Sequence, residues 1–315
     1  MRSRTPVKGV LVTGAAGFLG ARIAIALAAE PRVTDLVGLD RAEPPAGVPW
    51  RAVTASLHRL TDALPRAFVP GLIVHAAALT SQASEADPEA AFAVNVEGTR
   101  ALLARCRAWA EARGAPPRLV LLSSVAVFGG GGEGADEAAA PDPRSTYGTT
   151  KLVAERLVLD AARRGAVDGV VLRLPVSVIR TGRTGKPGAG FVSDLVLNAL
   201  GGLPFEAPLP LDHRLPVGSA TAAAALAVRA ALRPLPARVL HVPSLAVSAA
   251  TARDALREAG VTPPALTASP DPLIEGLVAG WPARLTTRHP GWSADVADTT
   301  LADIIRRHRA ANPPD

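Results

Sequence analysis

Short apolar runs alternate with longer segments of helical period through the first half of the chain. Residues 7–13 (VKGVLVT) read as a buried strand, 18–29 as a helix and 33–39 as a second strand. Residues 72–75 make another apolar run. Asp87-Pro88 then opens a helix expected to end near Arg113, with proline in the first turn, where its missing N–H does no harm. Residues 118–124 (RLVLLSS), 145–164 and 169–174 continue as strand, helix and strand. These strands are continuously apolar rather than alternating, as strands covered on both faces are, and the helical crossovers imply parallel pairing. The expected fold class is α/β, a doubly wound parallel sheet.

After Pro175 the pattern changes. Residues 181–190 (TGRTGKPGAG) are a loop rich in glycine and cations, 191–200 a helix and 204–216 a proline-rich irregular stretch. An alanine-rich helix spans 220–232, and 238–242 is a strand able to rejoin the sheet. Prolines at 263, 264, 270, 272 and 282 point to short helices and loops beyond.

The junction between the first strand and first helix carries Gly14-Ala-Ala-Gly17-Phe-Leu-Gly20. Glycines there permit a tight turn, close approach of a pyrophosphate and helix–sheet packing, while the helix N-terminus offers amides to phosphate. Asp40 stands at the end of the next strand, where a carboxylate accepts from ribose hydroxyls and repels a 2′-phosphate. That predicts NAD as cofactor, with NADP kept open by the neighbouring Arg41. The layout is a Rossmann-type nucleotide-binding domain over residues 1–175, with 217–246 returning to it. A smaller C-terminal substrate-binding cap is expected from 176–216 and 247–315.

Composition sharpens the chemistry. The chain of 315 residues holds one tyrosine and three lysines, and Tyr147 stands four residues before Lys151. Positions i and i+4 share a helix face, so phenol and ammonium can meet one pocket, and a nearby cation favours the phenolate. A phenol tuned in that way exchanges a proton with an alcohol or carbonyl oxygen while hydride moves to or from nicotinamide. Ser124, at the end of strand 118–124, can donate to the same oxygen. Strand-end capping is the plainer reading of Ser123 and Ser124.

Together these residues resemble the extended short-chain dehydrogenase/reductase family, in its nucleotide-sugar epimerase-like branch. The likeness rests on Gly14-x-x-Gly17-x-x-Gly20, Asp40, His75-Ala-Ala-Ala78, Asn95-Val-Glu-Gly98-Thr99, Ser123-Ser124, Tyr147-x-x-x-Lys151 and Arg173-Leu174-Pro175, in the family's order. The resemblance implies a catalytic triad of Ser124, Tyr147 and Lys151. It also implies cofactor contacts from Gly14, Gly17, Phe18, Leu19, Gly20, Asp40, Arg41, Ser56, Leu57, Ala76, Ala77, Ala78, Asn95, Ser123, Tyr147, Lys151 and Pro175. Further stretches (123–130, 145–151, 173–182 and 271–282) resemble dehydrogenases that oxidise the C2 hydroxyl of a four-carbon sugar acid such as D-erythronate. A carboxylate substrate needs a cation, for which Arg180, Arg183, Lys186 and Arg214 are the candidates beside Ser124. The chain departs from the family at Thr184–Pro187, at Ser56, where an acid is usual, and in the glycine run at 129–134. A nucleotide-sugar 4-epimerase or dehydratase and a ketoreductase tailoring a larger metabolite are the alternative functions.

The remaining features exclude other classes. The formal charge of +6 comes from scattered arginines with few aromatics to stack bases, so no nucleic-acid partner is expected. No stretch suits a membrane span, and residues 1–30 read as strand, turn and helix rather than as a secretory signal. Cys106, alone, suits a reducing cytoplasm and a packing role. No spacing suggests a metal site; His75, Trp109, Trp281 and Trp292 read as packing residues. The resemblance implies a homodimer acting on a small molecule.

Overall fold

A computed structural model describes residues 6–181 and 188–312. Its strands are β1 (Val10–Thr13), β2 (Leu36–Asp40), β3 (Arg51–Thr54), β4 (Leu72–His75), β5 (Arg118–Ser124), β6 (Asp168–Leu174), β7 (Val176–Val178), β8 (Phe205–Ala207), β9 (Leu215–Ser219), β10 (Val239–His241), β11 (Leu245–Val247) and β12 (Leu266–Ala268). Seven of them form one sheet in the order β10-β6-β5-β4-β1-β2-β3. The pairs β1–β2, β1–β4, β2–β3 and β4–β5 are parallel. From β1 the chain moves outward to β2 and β3, then returns to the other side of β1 as β4. The carboxyl ends of β1 and β4 therefore flank the switch point at which open α/β sheets bind ligands. This is the expected Rossmann-type architecture.

The chain divides into two compact units: residues 1–123, 149–173 and 224–240, and residues 124–148, 174–223 and 241–315. In the first, Leu11, Ile73, Leu119 and Val171 from the strands are buried with Cys106, Trp109 and Val158 from helices Gly98–Arg113 and Thr146–Arg163. Fully apolar strands allow that burial on both faces. In the second unit, a sheet ordered β11-β9-β7 and the pair β12–β8 accompany helices Phe191–Leu200, Ala249–Glu258 and Leu301–Ala311. Phe191, Leu195, Phe205, Leu215, Leu256 and Ile305 join in its core.

Some elements differ from the sequence reading. The first strand starts at Val10 rather than residue 7, because Gly9 takes a φ of +67°, leaving Val7 an isolated bridge to Val33. The helix from Pro88 to Arg113 contains a π-helical stretch, Phe92–Glu97. The irregular stretch 204–216 contains β8 and the start of β9. Residues 124–148, read as part of the nucleotide-binding domain, group with the second unit: Gly131 N–H donates to Gly280 and Glu137 accepts from Thr287, Arg288 and His241.

Candidate active site

In the first unit, the loops following β1 and β4 touch backbone to backbone. Gly14 has a φ of +72°, and a Cβ there would lie 2.6 Å from the Ala77 nitrogen. A Cβ on Gly20 would overlap the Gly14 carbonyl oxygen, so helix Phe18–Ala28 can start beneath the turn only with glycine there. The resulting pocket is lined by Gly14, Gly17, Asp40, Arg41, Ser56, Leu57 and Ala76–Leu79. Asp40 is pinned at its wall: Oδ2 accepts from the Ala16 amide at 3.0 Å and Oδ1 from the Ala42 amide at 3.1 Å. A glycine floor beside a helix N-terminus, with a fixed carboxylate twenty residues on, fits a dinucleotide. Leu39, Ala55, His58, Leu79 and Val94 line the pocket and went unnamed as cofactor residues in the sequence reading. Ala55 and His58 follow β3, a strand whose mixed, mostly exposed residues gave no apolar run.

Other expected cofactor residues stand around that pocket rather than in its lining. Phe18 lies under the Arg22 guanidinium, 4.0 Å from the ring centroid, and Leu19 and Gly20 belong to the first turn of the same helix. Buried Asn95 accepts from the Leu79 amide at 2.8 Å and donates to the Leu79 carbonyl and the Thr150 hydroxyl, each at 3.0 Å. It thereby braces the loop after β4. Ser123 turns its hydroxyl to Glu155 at 2.6 Å.

His75, at the end of β4, is fully enclosed. The Thr99 hydroxyl donates to the Asn95 carbonyl at 2.6 Å, so toward His75 Nε2, 3.0 Å away, it accepts. Nδ1 then accepts from the Thr13 hydroxyl at 2.7 Å. Burial, with the Lys151 charge second, pushes the imidazole down to about 3, so it stays neutral. It is a packing residue, as read. Burial likewise pushes the Cys106 thiol up to about 12, an unreactive state.

Tyr147 belongs to the second unit and sits in the first turn of helix Thr146–Arg163, which Ser145 caps by accepting from the Gly148 amide at 3.0 Å. Gly148 has a structural reason: a Cβ there would overlap the Ala126 carbonyl oxygen, so the helix start rests directly on the turn after β5. The Ser124 hydroxyl accepts from the Ala126 amide at 3.1 Å and hydrogen-bonds the Tyr147 phenol. The ring is partly exposed, yet its hydroxyl end is buried, and that burial pushes the phenol up to about 12. The Ser124 hydrogen bond and the Arg180 charge pull the other way and lose. The phenol thus rests protonated, and the cation acting on it is Arg180 rather than the expected Lys151. Lys151, in the first unit one turn along the helix, is buried; burial brings its ammonium down to about 8, opposed by Glu155.

The expected substrate cations separate. Arg180 is exposed and acts electrostatically on Tyr147. Arg214 pairs with Glu133, beside the glycine run. Arg183 and Lys186 lie outside the described residues. Pro175 packs against Gly218 of β9. Among the described residues no cluster of His, Cys, Asp or Glu could hold a metal, and no helix is long and apolar enough to cross a membrane.

Comparison with known proteins places this geometry. The family model for the NAD dependent epimerase/dehydratase family matches residues 10–230. The chain belongs to that family. Among curated members, D-erythronate dehydrogenases of Cupriavidus necator and Haemophilus influenzae are each 32% identical over 95% of this chain, covering 97% and 98% of their own lengths. Among solved structures, a nucleoside-diphosphate-sugar epimerase from Agrobacterium tumefaciens superposes with a TM-score of 0.84 at 26% identity, over 99% of this chain and 97% of its own. Family membership and full-length likeness to dehydrogenases make the chain an NAD-dependent oxidoreductase.

Proposed function

We propose that the protein oxidises the hydroxyl beside the carboxylate of a four-carbon sugar acid, D-erythronate or a near relative, with NAD. The observation that carries this reading is the surroundings of Tyr147, whose phenol takes a hydrogen bond from Ser124 and feels the charge of Arg180. A hydroxy acid needs one group to move the hydroxyl proton and a cation to hold the carboxylate, and these residues supply both. The full-length likeness to two D-erythronate dehydrogenases supports the same substrate class.

In this reading Ser124 holds the reacting oxygen beside Tyr147, and Tyr147 exchanges the proton with it. Buried and protonated at rest, the phenol is ready to donate to a carbonyl; to accept from an alcohol it must first release its own proton. The Ser124 hydrogen bond and the Arg180 charge favour that release, while the Lys151 ammonium, one turn along, offers donors to ribose hydroxyls. Nicotinamide, when bound, supplies the hydride acceptor. Asp40, fixed by two amides, accepts from the adenosine ribose and disfavours a 2′-phosphate, so NAD is preferred over NADP despite Arg41 in the same pocket. Arg180 is the substrate cation of choice because its charge acts on the Tyr147 phenol, whereas Arg214 pairs with Glu133. A cytoplasmic homodimer, implied by the family likeness, completes the reading.

The test is NADH formation by the purified protein with NAD and a panel of four-, five- and six-carbon aldonates. Turnover with D-erythronate is expected. No turnover with any aldonate, together with interconversion of UDP-sugars, would overturn the reading in favour of an epimerase.

A further inference from the structure

Below Lys151, one more turn along the same helix, a buried ion pair stands apart from the pocket. Glu155 is 1% exposed and Arg173, from β6, 4%. Arg173 grips the carboxylate with both arms of its guanidinium: Nε donates to Oε1 at 3.0 Å and Nη2 to Oε2 at 2.8 Å. The Ser123 hydroxyl, from β5, adds a third donor to Oε1 at 2.6 Å. Two strands thus hold one helix residue by its charge.

Such a pair is a poor device for stability alone. Stripping two charges of water costs several kcal/mol each, and apolar replacements of similar volume are often neutral or better. What distinguishes Glu155 is its spacing. Tyr147, Lys151 and Glu155 follow one another at i, i+4 and i+8, so they fall along one face of the helix. Lys151 is 3% exposed and needs a counter-charge in that environment. Its other titratable neighbours do not provide one. His75, from β4, is neutral; Tyr147, on the preceding turn, is a protonated phenol; Arg173 is paired with Glu155 and carries the wrong sign.

We propose that Glu155 is the positioning residue for Lys151, supplying the fixed negative charge that keeps its ammonium in place, while Arg173 and Ser123 hold Glu155 for that task. Burial lowers the Lys151 ammonium and the Glu155 charge opposes it, in agreement with this geometry. The proposal rests on Lys151 belonging to the active site, but its test uses no substrate, so it can fail independently of the sugar-acid reading.

With three lysines in the chain, the full-length protein carrying lysine labelled with carbon-13 at Cε gives a simple spectrum, and the signal lost in Lys151→Met assigns Lys151. Wild-type Lys151 should titrate with a midpoint of about 8. In Glu155→Gln that midpoint should fall by about one pH unit or more, because the ammonium loses its counter-charge. Should Glu155→Gln leave Arg173 stranded and the chain unfolded, the neutral pair Glu155→Gln/Arg173→Met removes both charges and should still lower the midpoint, by less. A Lys151 midpoint unmoved or raised in whichever variant folds would overturn the proposal and reduce the ion pair to a structural tie.

Discussion

The pocket beside β1 and the surroundings of Tyr147 are built from different materials. The first is mostly backbone: Gly14 against Ala77, Gly20 against Gly14, and Asp40 immobilised by two amides. The second is assembled from side chains far apart in sequence, with Ser124 and Arg180 meeting one phenol. Backbone contacts specify residue types at fixed spacings, because only glycine fits. Side-chain contacts fix a function without fixing a spacing, so substrates can change among relatives that share a cofactor.

If that division is right, substitutions in one region should leave the other's function intact. The largest effect is expected from Tyr147→Phe, which should lower kcat by about 10²- to 10⁴-fold while NAD affinity, read by fluorescence titration, stays unchanged. Loss of NAD binding in that variant would mean that the two regions are one. Arg180→Met should raise KM for the acid by roughly 10- to 100-fold, with a smaller change in kcat, since a charge-assisted bidentate contact is lost. An unaltered KM in steady-state assays would remove Arg180 from the substrate. Smallest is Asp40→Ala, expected to shift the NAD-to-NADP ratio of kcat/KM by about tenfold, on the scale of one charged hydrogen bond, with the KM for the acid unmoved. A constant ratio would make Arg41 or His58 the discriminating residue.

The sequence reading and the structure agree most closely where one physical signal dominates. Residues 72–75, 118–124, 191–200 and 220–232 emerge with the expected bounds, because apolar runs and helical periods there meet no competing tendency. The second unit's small sheet was illegible for the opposite reason. Strands β7 and β11 have three residues each, and Pro216 lies within β9, opposite Ala246, in a stretch whose prolines argued for irregular chain. At the candidate site, spacing exposed Tyr147 and Lys151 but not the balance of forces on them. Burial rather than Lys151 dominates the phenol, and Ser123 faces Glu155, an acid that reads in sequence as one more helical charge. Side-chain direction at a strand end follows from packing, which a linear pattern does not encode.

The glycine run after Phe128 has a bearing on how this enzyme could acquire new substrates. A Cβ on Gly280 would strike the Gly129 backbone and one on Gly129 the Asp142 carbonyl, so a larger residue at either place would wedge neighbouring segments apart. Gly130 is different: it keeps a φ open to any amino acid and has nothing within 4 Å of where a Cβ would go. Diversity introduced at that one position, in nature or in a directed library, would decorate the loop without disturbing the scaffold that carries it.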